Sequence, residues 1–386
     1  MATTIPAADE DRATLDLARR LIACRSITPA DGGSLDLIAT RLAAAGFECE
    51  RVDRGSVRNL WARHGQAAPL ICLAGHVDVV PTGPEEHWTS APFTPTERDG
   101  YLYGRGAGDM KTSVAAMVTA AERITEANPQ HAGSIALLLT SDEEGDATDG
   151  TVAVVDALLV RGEAIDACIV GEPTSAARLG DTVKNGRRGS LSGTLRVHGV
   201  QGHIAYPAQG HNPIHTTLPA LAELATVQWD QGNQYFQPTS LQISNVHAGT
   251  GAGNIIPGIL ELLFNLRFSP ESTADEIKAR VHAILDRHAV EYKLDWVLGG
   301  DPFITPAGPL VDALNRSIIA TTGLAPTLST SGGTSDGRFL TRVAREVVEF
   351  GPVGESIHGV DERVRLADIG PLSSIYEQTV TTLLAR

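Results

Sequence analysis

Short, continuously apolar runs alternate with helical periodicities at both ends of this chain, and that rhythm breaks in the middle. Leu70 to Val80 is almost unbroken apolar sequence, and Ile135 to Leu139 and Ala167 to Val170 repeat the pattern. A strand reads this way when both of its faces are covered. Between these runs, Asp11 to Ala23, Met110 to Ala127 and Val152 to Val160 carry apolar residues at helical spacing. Phe47 to Val52 and Asn59 to Arg63 read as further short strands. The alternation predicts an α/β sheet with helices on both faces.

Near Thr182 the pattern changes. Val183 to Val200 alternates as one long, half-buried antiparallel strand would. A helix is expected over Pro213 to Val227, strands over Ser240 to Val246 and Gly258 to Phe268, a helix over Ala274 to Arg287, and a strand over Tyr292 to Leu298. From Ala307 the first rhythm resumes, with helices to Thr322, from Gly337 to Val343 and from Ile369, and strands near Thr327 and from Glu346 to Phe350. A chain of 386 residues exceeds one ordinary core. The simplest organisation is an α/β domain built from residues 1–182 and 299–386, with a smaller α+β domain, 183–298, inserted in it.

The formal net charge is −15, the wrong sign for a nucleic-acid or anionic-membrane partner. It leaves room for an anionic substrate in a locally basic site. Cys24, Cys49, Cys72 and Cys168 form no Cys-x-x-Cys pair, so a disulfide framework or a Cys-zinc site is not expected. Cys72 and Cys168 lie in apolar runs and read as buried thiols. The first six residues, followed by acidic ones, lack the basic and apolar regions of a signal peptide, and no apolar run reaches membrane-spanning length. A cytoplasmic protein is expected.

The His, Asp and Glu residues fall where these runs end. Gly75-His76-Val77-Asp78 closes the Leu70 run, and residues two apart on a strand face the same way. Open α/β sheets place ligands at that end of the strands. A bare His–Asp hydrogen bond would also account for this pair. Asp109 follows Gly104-Arg105-Gly106-Ala107-Gly108, whose glycines permit a sharp turn. Taken alone, Asp109 is an ordinary helix N-cap. Lys111-Thr112 lacks the spacing of a phosphate loop. Asp142, Glu143 and Glu144 are adjacent carboxylates that repel unless something positive sits among them. Glu172 follows the Ala167 run, and His358 follows the run at Glu346. A solvated loop or a structural histidine would explain each one singly. Together, His76, Asp109, Glu144, Glu172 and His358 make a two-histidine, three-carboxylate set that suits a pair of zinc ions with one carboxylate bridging. Such pairs polarise a carbonyl and activate water, and Glu143 is then free to act as general base.

These motifs resemble those of the di-zinc aminoacylase and carboxypeptidase family over nearly the whole chain. The stretches that carry the likeness are Gly-His-Val-Asp-Val-Val-Pro from Gly75, Gly-Arg-Gly-Ala-Gly-Asp-Met-Lys from Gly104 and Asp-Glu-Glu-Gly from Asp142. Others are Val-Lys-Asn-Gly-Arg-Arg-Gly-Ser from Val183, Gln-Gly-His-Ile-Ala-Tyr-Pro from Gln201, Asn-Ile-Ile-Pro from Asn254 and Ser-Gly-Gly-Thr-Ser-Asp-Gly-Arg from Ser331. The resemblance implies a zinc-exopeptidase-like catalytic domain with an inserted dimerisation domain. It implies that His76 and Glu172 hold one zinc, that Glu144 and His358 hold the other, and that Asp109 bridges them. Cobalt would serve as well as zinc. Asp78 would orient His76. Glu143 would take a proton from the attacking water and pass it to the leaving amine. His203 of the partner subunit would donate to the oxyanion, so a homodimer is implied.

The implied substrate is N-succinyl-LL-2,6-diaminopimelate, on the route to lysine and meso-diaminopimelate. Its carboxylates suit arginine forks. Arg187 and Arg267 are the candidates, with Ser190, Asn254, Gly333 and Thr334 as hydrogen-bond partners, while Arg188 is expected to face away. The family pattern has Asn or a similar residue three positions before His358; here Glu355 puts a charge near the second metal. A related deacylase acting on acetylornithine, or a dipeptidase, would use the same ions. A serine hydrolase is the rival of a different class, because Gly333-Thr334-Ser335-Asp336-Gly337 fits Gly-x-Ser-x-Gly. That rival lacks a His-Gly-Gly-Gly oxyanion segment and leaves His76 and the upstream acids unused. A degenerate member that binds without cutting would have lost Glu143 or a ligand, and none is lost.

Overall fold

The structure, a computed structural model, describes residues 7–385. The N-terminal hexapeptide read above for a signal sequence lies outside the described residues. The chain divides into two compact units. One takes the chain up to Gly186, Ile304–Ser329 and the chain from Ser335 onward; the other takes Arg187–Phe303 and Thr330–Thr334.

The first unit is built on an eight-stranded sheet. Its order is Glu48–Arg51, Asn59–His64, Ser134–Thr140, Leu70–His76, Ile165–Val170, Ala344–Glu349, Thr182–Lys184, Thr327–Ser329. The four central strands, from Ser134–Thr140 to Ala344–Glu349, run parallel to one another. Their residues alternate between two faces. Ile135, Leu137, Leu139, Ile71, Leu73, Ala167 and Ile169 join one buried cluster with helices Ala7–Ala23, Ser34–Ala44, Thr112–Ala127, Pro309–Thr322 and Leu366–Leu384. The residues between them turn to the other face, where helix Thr151–Arg161 packs on Asn59–His64 and Ser134–Thr140. Cys72 and Cys168 are buried opposite one another on adjacent strands, and all four cysteines are free.

Two sequence expectations need correction here. The Leu70 strand stops at His76 although the sequence stays apolar to Val80. Val77 N–H makes the last rung, to the Thr140 carbonyl of the neighbouring strand, and Val79 N–H then donates to that of Ser26, so by Val79 the chain has left the ladder. The stretch from Val183 to Val200 is not one strand. Thr182–Lys184 pairs in the large sheet, whereas Gly189–His198 belongs to the second unit. Period-two alternation survives such a break because both pieces are half-buried strands.

The second unit is a four-stranded antiparallel sheet, ordered Ser240–Ala248, Ile259–Phe268, Gly189–His198, Tyr292–Gly300. Its buried cluster takes in helices Pro213–Thr226 and Ala274–Arg287. The second helix opens with a capping box between Thr273 and Glu276. Among the described residues, no helix is long and apolar enough to cross a membrane.

Candidate metal centre

In the first unit, His76 ends the Leu70 strand, Glu143 and Glu144 follow Ser134–Thr140, and Glu172 follows Ile165–Val170. These are adjacent parallel strands, and the residues stand at their carboxyl ends. Asp109 comes from the turn Ala107–Lys111. There Asp109 (φ −127°, ψ 97°) and Met110 (φ −132°, ψ 31°) are not helical, and helix Thr112–Ala127 starts only after them. Asp109 is therefore no N-cap. Met110 fixes the turn from beneath, because it occupies the space that side chains on Gly75 and Gly171 would need. A Cβ at either glycine would stand 2.2 or 2.6 Å from its Cε.

The site has two halves that share one carboxylate. Asp109 Oδ1 lies 3.1 Å from His76 Nε2, and Glu172 Oε1 lies 3.9 Å from the same nitrogen. Asp109 Oδ2 lies 3.5 Å from His358 Nε2, which is 2.9 Å from Glu144 Oε1. The ligand atoms of His76, Asp109 and Glu172, and those of Asp109, Glu144 and His358, lie within 4.8 Å of one another in each group. His358 sits at φ 60°, a left-handed conformation that costs a histidine roughly 1 kcal/mol or more.

The charges also point to cations. Glu172 Oε1 is buried with no hydrogen-bond partner. Burial, with Asp109 and Glu143 nearby, pushes the Glu172 pKa well above the usual carboxylate range. Glu143 is partly exposed, but the protein crowding its carboxylate, with Asp336, Asp109 and Glu144 adding to it, pushes its pKa up to about 8. Hydrogen bonds to Asp109 and Glu144 raise His358 to about 10. Burial alone would raise Asp109, yet His358 and His76 hold it below its ordinary value. Clustered carboxylates, one of them orphaned, are relieved by bound cations. Two imidazoles with carboxylates and no thiolate suit zinc and similar ions.

The surrounding residues orient the cluster. His76 Nδ1 lies 3.0 Å from the Asp78 carbonyl and 3.6 Å from its carboxylate. The Asp78 carboxylate instead accepts from Glu143 N–H at 3.4 Å and Glu144 N–H at 3.1 Å, joining the His76 segment to the acidic loop. Asp142 turns away and accepts from the N–H groups of Thr148 and Asp149, so of the three adjacent carboxylates only Glu143 and Glu144 join the cluster. Glu355 pairs with Arg363 Nη2 at 3.4 Å.

Ser335 does not make a nucleophile. It is buried, and its hydroxyl donates to Glu349, while His358 Nε2 faces Asp109 and Glu144. The serine-hydrolase reading is overturned on that geometry.

The candidate substrate residues all lie in the second unit, in three places. Buried Arg187 donates from Nη1 to the Ser331 carbonyl at 3.2 Å, beside Gly333 and Thr334. Ser190 is the cross-strand partner of Arg267, and its hydroxyl accepts from Asn265 Nδ2 at 3.1 Å. Exposed His203 pairs with Ile255, next to Asn254, whose carbonyl accepts from Ile204 N–H at 3.1 Å.

Residues 72–382 match the family model for peptidase family M20/M25/M40. The chain is 63% identical over 374 residues to a succinyl-diaminopimelate desuccinylase of Azoarcus sp. (strain BH72), covering 97% of this chain and 98% of that one. In fold it is similar to an M20 family metallo-carboxypeptidase from Sulfolobus solfataricus, with TM-score 0.80, 15% identity and coverage of 97% and 99% of the two chains. It is likewise similar to a dinuclear metal-binding M20 peptidase from Bacillus subtilis, with TM-score 0.73, 16% identity and coverage of 98% and 99%.

Proposed function

The chain belongs to peptidase family M20/M25/M40, and on that footing we propose that it is a metal-dependent amide hydrolase cleaving N-succinyl-LL-2,6-diaminopimelate to succinate and LL-2,6-diaminopimelate. The observation that carries the chemistry is the Asp109 carboxylate, with one oxygen toward His76 and the other toward His358. His76 and Glu172 would hold one divalent ion, Glu144 and His358 the other, and Asp109 both. Zinc is the ion proposed, with cobalt able to substitute. When bound, the ions supply Lewis-acid polarisation of the succinyl amide carbonyl and make water a stronger acid.

The chain's own residues do the rest. Glu143 Oε takes the proton of the attacking water and returns it to the leaving amine nitrogen; a pKa near neutrality suits a group that works in both directions. Asp78 keeps Glu143 and Glu144 in place through their N–H groups. Arg187 and Arg267 would bind substrate carboxylates, with Ser190, Asn254, Gly333 and Thr334 donating or accepting beside them.

His203 of the partner subunit would donate to the oxyanion, which requires a homodimer through the inserted unit. Two features of that unit support a dimer. Strand Ser240–Ala248 is a sheet edge with most of its residues exposed, and Val246 and Leu218 are more than half exposed. With a net charge of −15, a cytoplasmic protein without a nucleic-acid or membrane partner is the reading we adopt.

The test is succinate release from N-succinyl-LL-2,6-diaminopimelate by zinc-loaded protein, with acetylornithine and a dipeptide in parallel. Chelator-sensitive release from the succinyl compound alone is expected. Cleavage of only the other two would retain the ion chemistry and overturn the substrate.

A further inference from the structure

Glu362 stands four residues after His358 and just before strand Arg363–Arg365, which pairs antiparallel with Tyr101–Tyr103. That pairing lays it against the glycine-rich turn. One carboxylate oxygen accepts from Arg105 Nη1 at 2.8 Å and Gly106 N–H at 2.9 Å. The other accepts from Gly108 N–H at 2.8 Å and Asp109 N–H at 3.0 Å. The Glu362 carbonyl accepts from Gly104 N–H at 2.9 Å. Every group facing the carboxylate is a donor, so its ionised form fits and a protonated one would set a hydroxyl against an N–H. Arg105 and Glu362 are each 1% exposed. Arg105 reaches on to the loop after His76: its Nη2 donates to the Pro81 carbonyl at 3.3 Å, and its guanidinium lies 5.0 Å from the Trp88 ring centroid. The segments bearing His76, Asp109 and His358 therefore meet at one buried ion pair.

The turn needs such a clamp. Asp109 and Met110 leave helical geometry; Lys111 N–H still closes on the Gly106 carbonyl, but the Asp109 N–H takes its acceptor from Glu362 and not from the turn. Three backbone donors of the turn, from Gly106, Gly108 and Asp109, would be buried without acceptors if Glu362 were removed. We propose that Glu362, with Arg105 as its counter-charge, is the positioning residue that sets the Asp109 carboxylate between the two ligand groups. The proposal rests on the two-ion reading above. Glu362 touches neither substrate nor ion; it acts through the Asp109 backbone. The side-chain amide of Glu362→Gln would turn an N–H toward one pair of donors and free that side of the turn.

The test strips the full-length chain with chelator and titrates it with Co²⁺, recording heat, visible absorption and the metal-free thermal midpoint. In Glu362→Gln, affinity for Co²⁺ falls roughly 10- to 100-fold and the absorption bands move. At saturating ion, kcat falls while KM stays within about twofold. A folded variant with wild-type affinity and spectrum overturns the proposal. If Glu362→Gln fails to fold, Glu362→Asp, which keeps the charge and shortens the reach, is read in the same way. Loss of fold in both overturns it too, by making the pair a folding element. Wild-type protein that takes up no Co²⁺ overturns the two-ion reading itself, whereas ion-binding wild type beside an equal variant overturns only the role of Glu362.

Discussion

At the residue scale, Glu143 and His358 titrate in one direction, and that makes the metal-free protein pH-sensitive. Glu143 is raised from 4.5 to about 8 and His358 from 6.5 to about 10. In both, the folded state binds the proton more tightly than the unfolded chain. Each contribution is full below the unfolded value and is lost as pH rises through the folded one. Lys111, lowered from 10.5 to about 8 by burial, acts in the opposite sense only above that pH. The thermal midpoint of chelator-treated protein should therefore fall from about pH 5 to pH 8, and saturating zinc should raise it. A flat or rising profile in chelator would contradict the charges assigned to the cluster. Glu143→Gln should lower kcat by roughly 100-fold or more with ion uptake unchanged; loss of the ions instead would make Glu143 a ligand. His76, Glu144 and Glu172 were legible because chemistry-bearing side chains closely follow apolar runs, and Asp109 because it follows a glycine-rich turn. Glu362 was not, because a residue that satisfies backbone N–H groups leaves no spacing to read. The partner of the Asp78 carboxylate was hidden for the same reason.

At the element scale, the small sheet depends on two glycines. Gly189 and Gly193 lie opposite Phe268 and Phe264, whose rings cover them; a Cβ at either would come within 2.3 Å of a ring carbon. Gly193→Val should cost about 1–3 kcal/mol by overpacking, read as a lower denaturation midpoint with unchanged slope. An unchanged midpoint would mean that the ring moves aside freely. Helices and strands with sustained periodicity were legible from sequence to within a few residues. The strand after Leu70 and the stretch after Val183 were not. Apolar character continues past His76 after the ladder has ended, and alternation continues past Lys184 although the chain changes sheets.

At the scale of the whole molecule, the chain keeps its candidate ion ligands in one unit and its candidate substrate residues in the other. The sequence showed an insertion through its change of rhythm, but Thr330–Thr334 joins the inserted unit from far along the chain. No periodicity marks so short a segment. The proposed dimer belongs to this scale as well. Light scattering should give twice the 40.7 kDa chain mass. Lysines in place of both Val246 and Leu218 should shift it toward monomer and, through His203, lower kcat. A wild-type monomer with full activity would remove the partner from the site.

The most direct test of the central claim is elemental analysis of zinc-loaded, desalted protein. Two zinc ions per chain are expected, because Asp109 offers one oxygen to each ligand group. One ion per chain, or none, in protein that hydrolyses the succinyl amide would contradict the shared carboxylate.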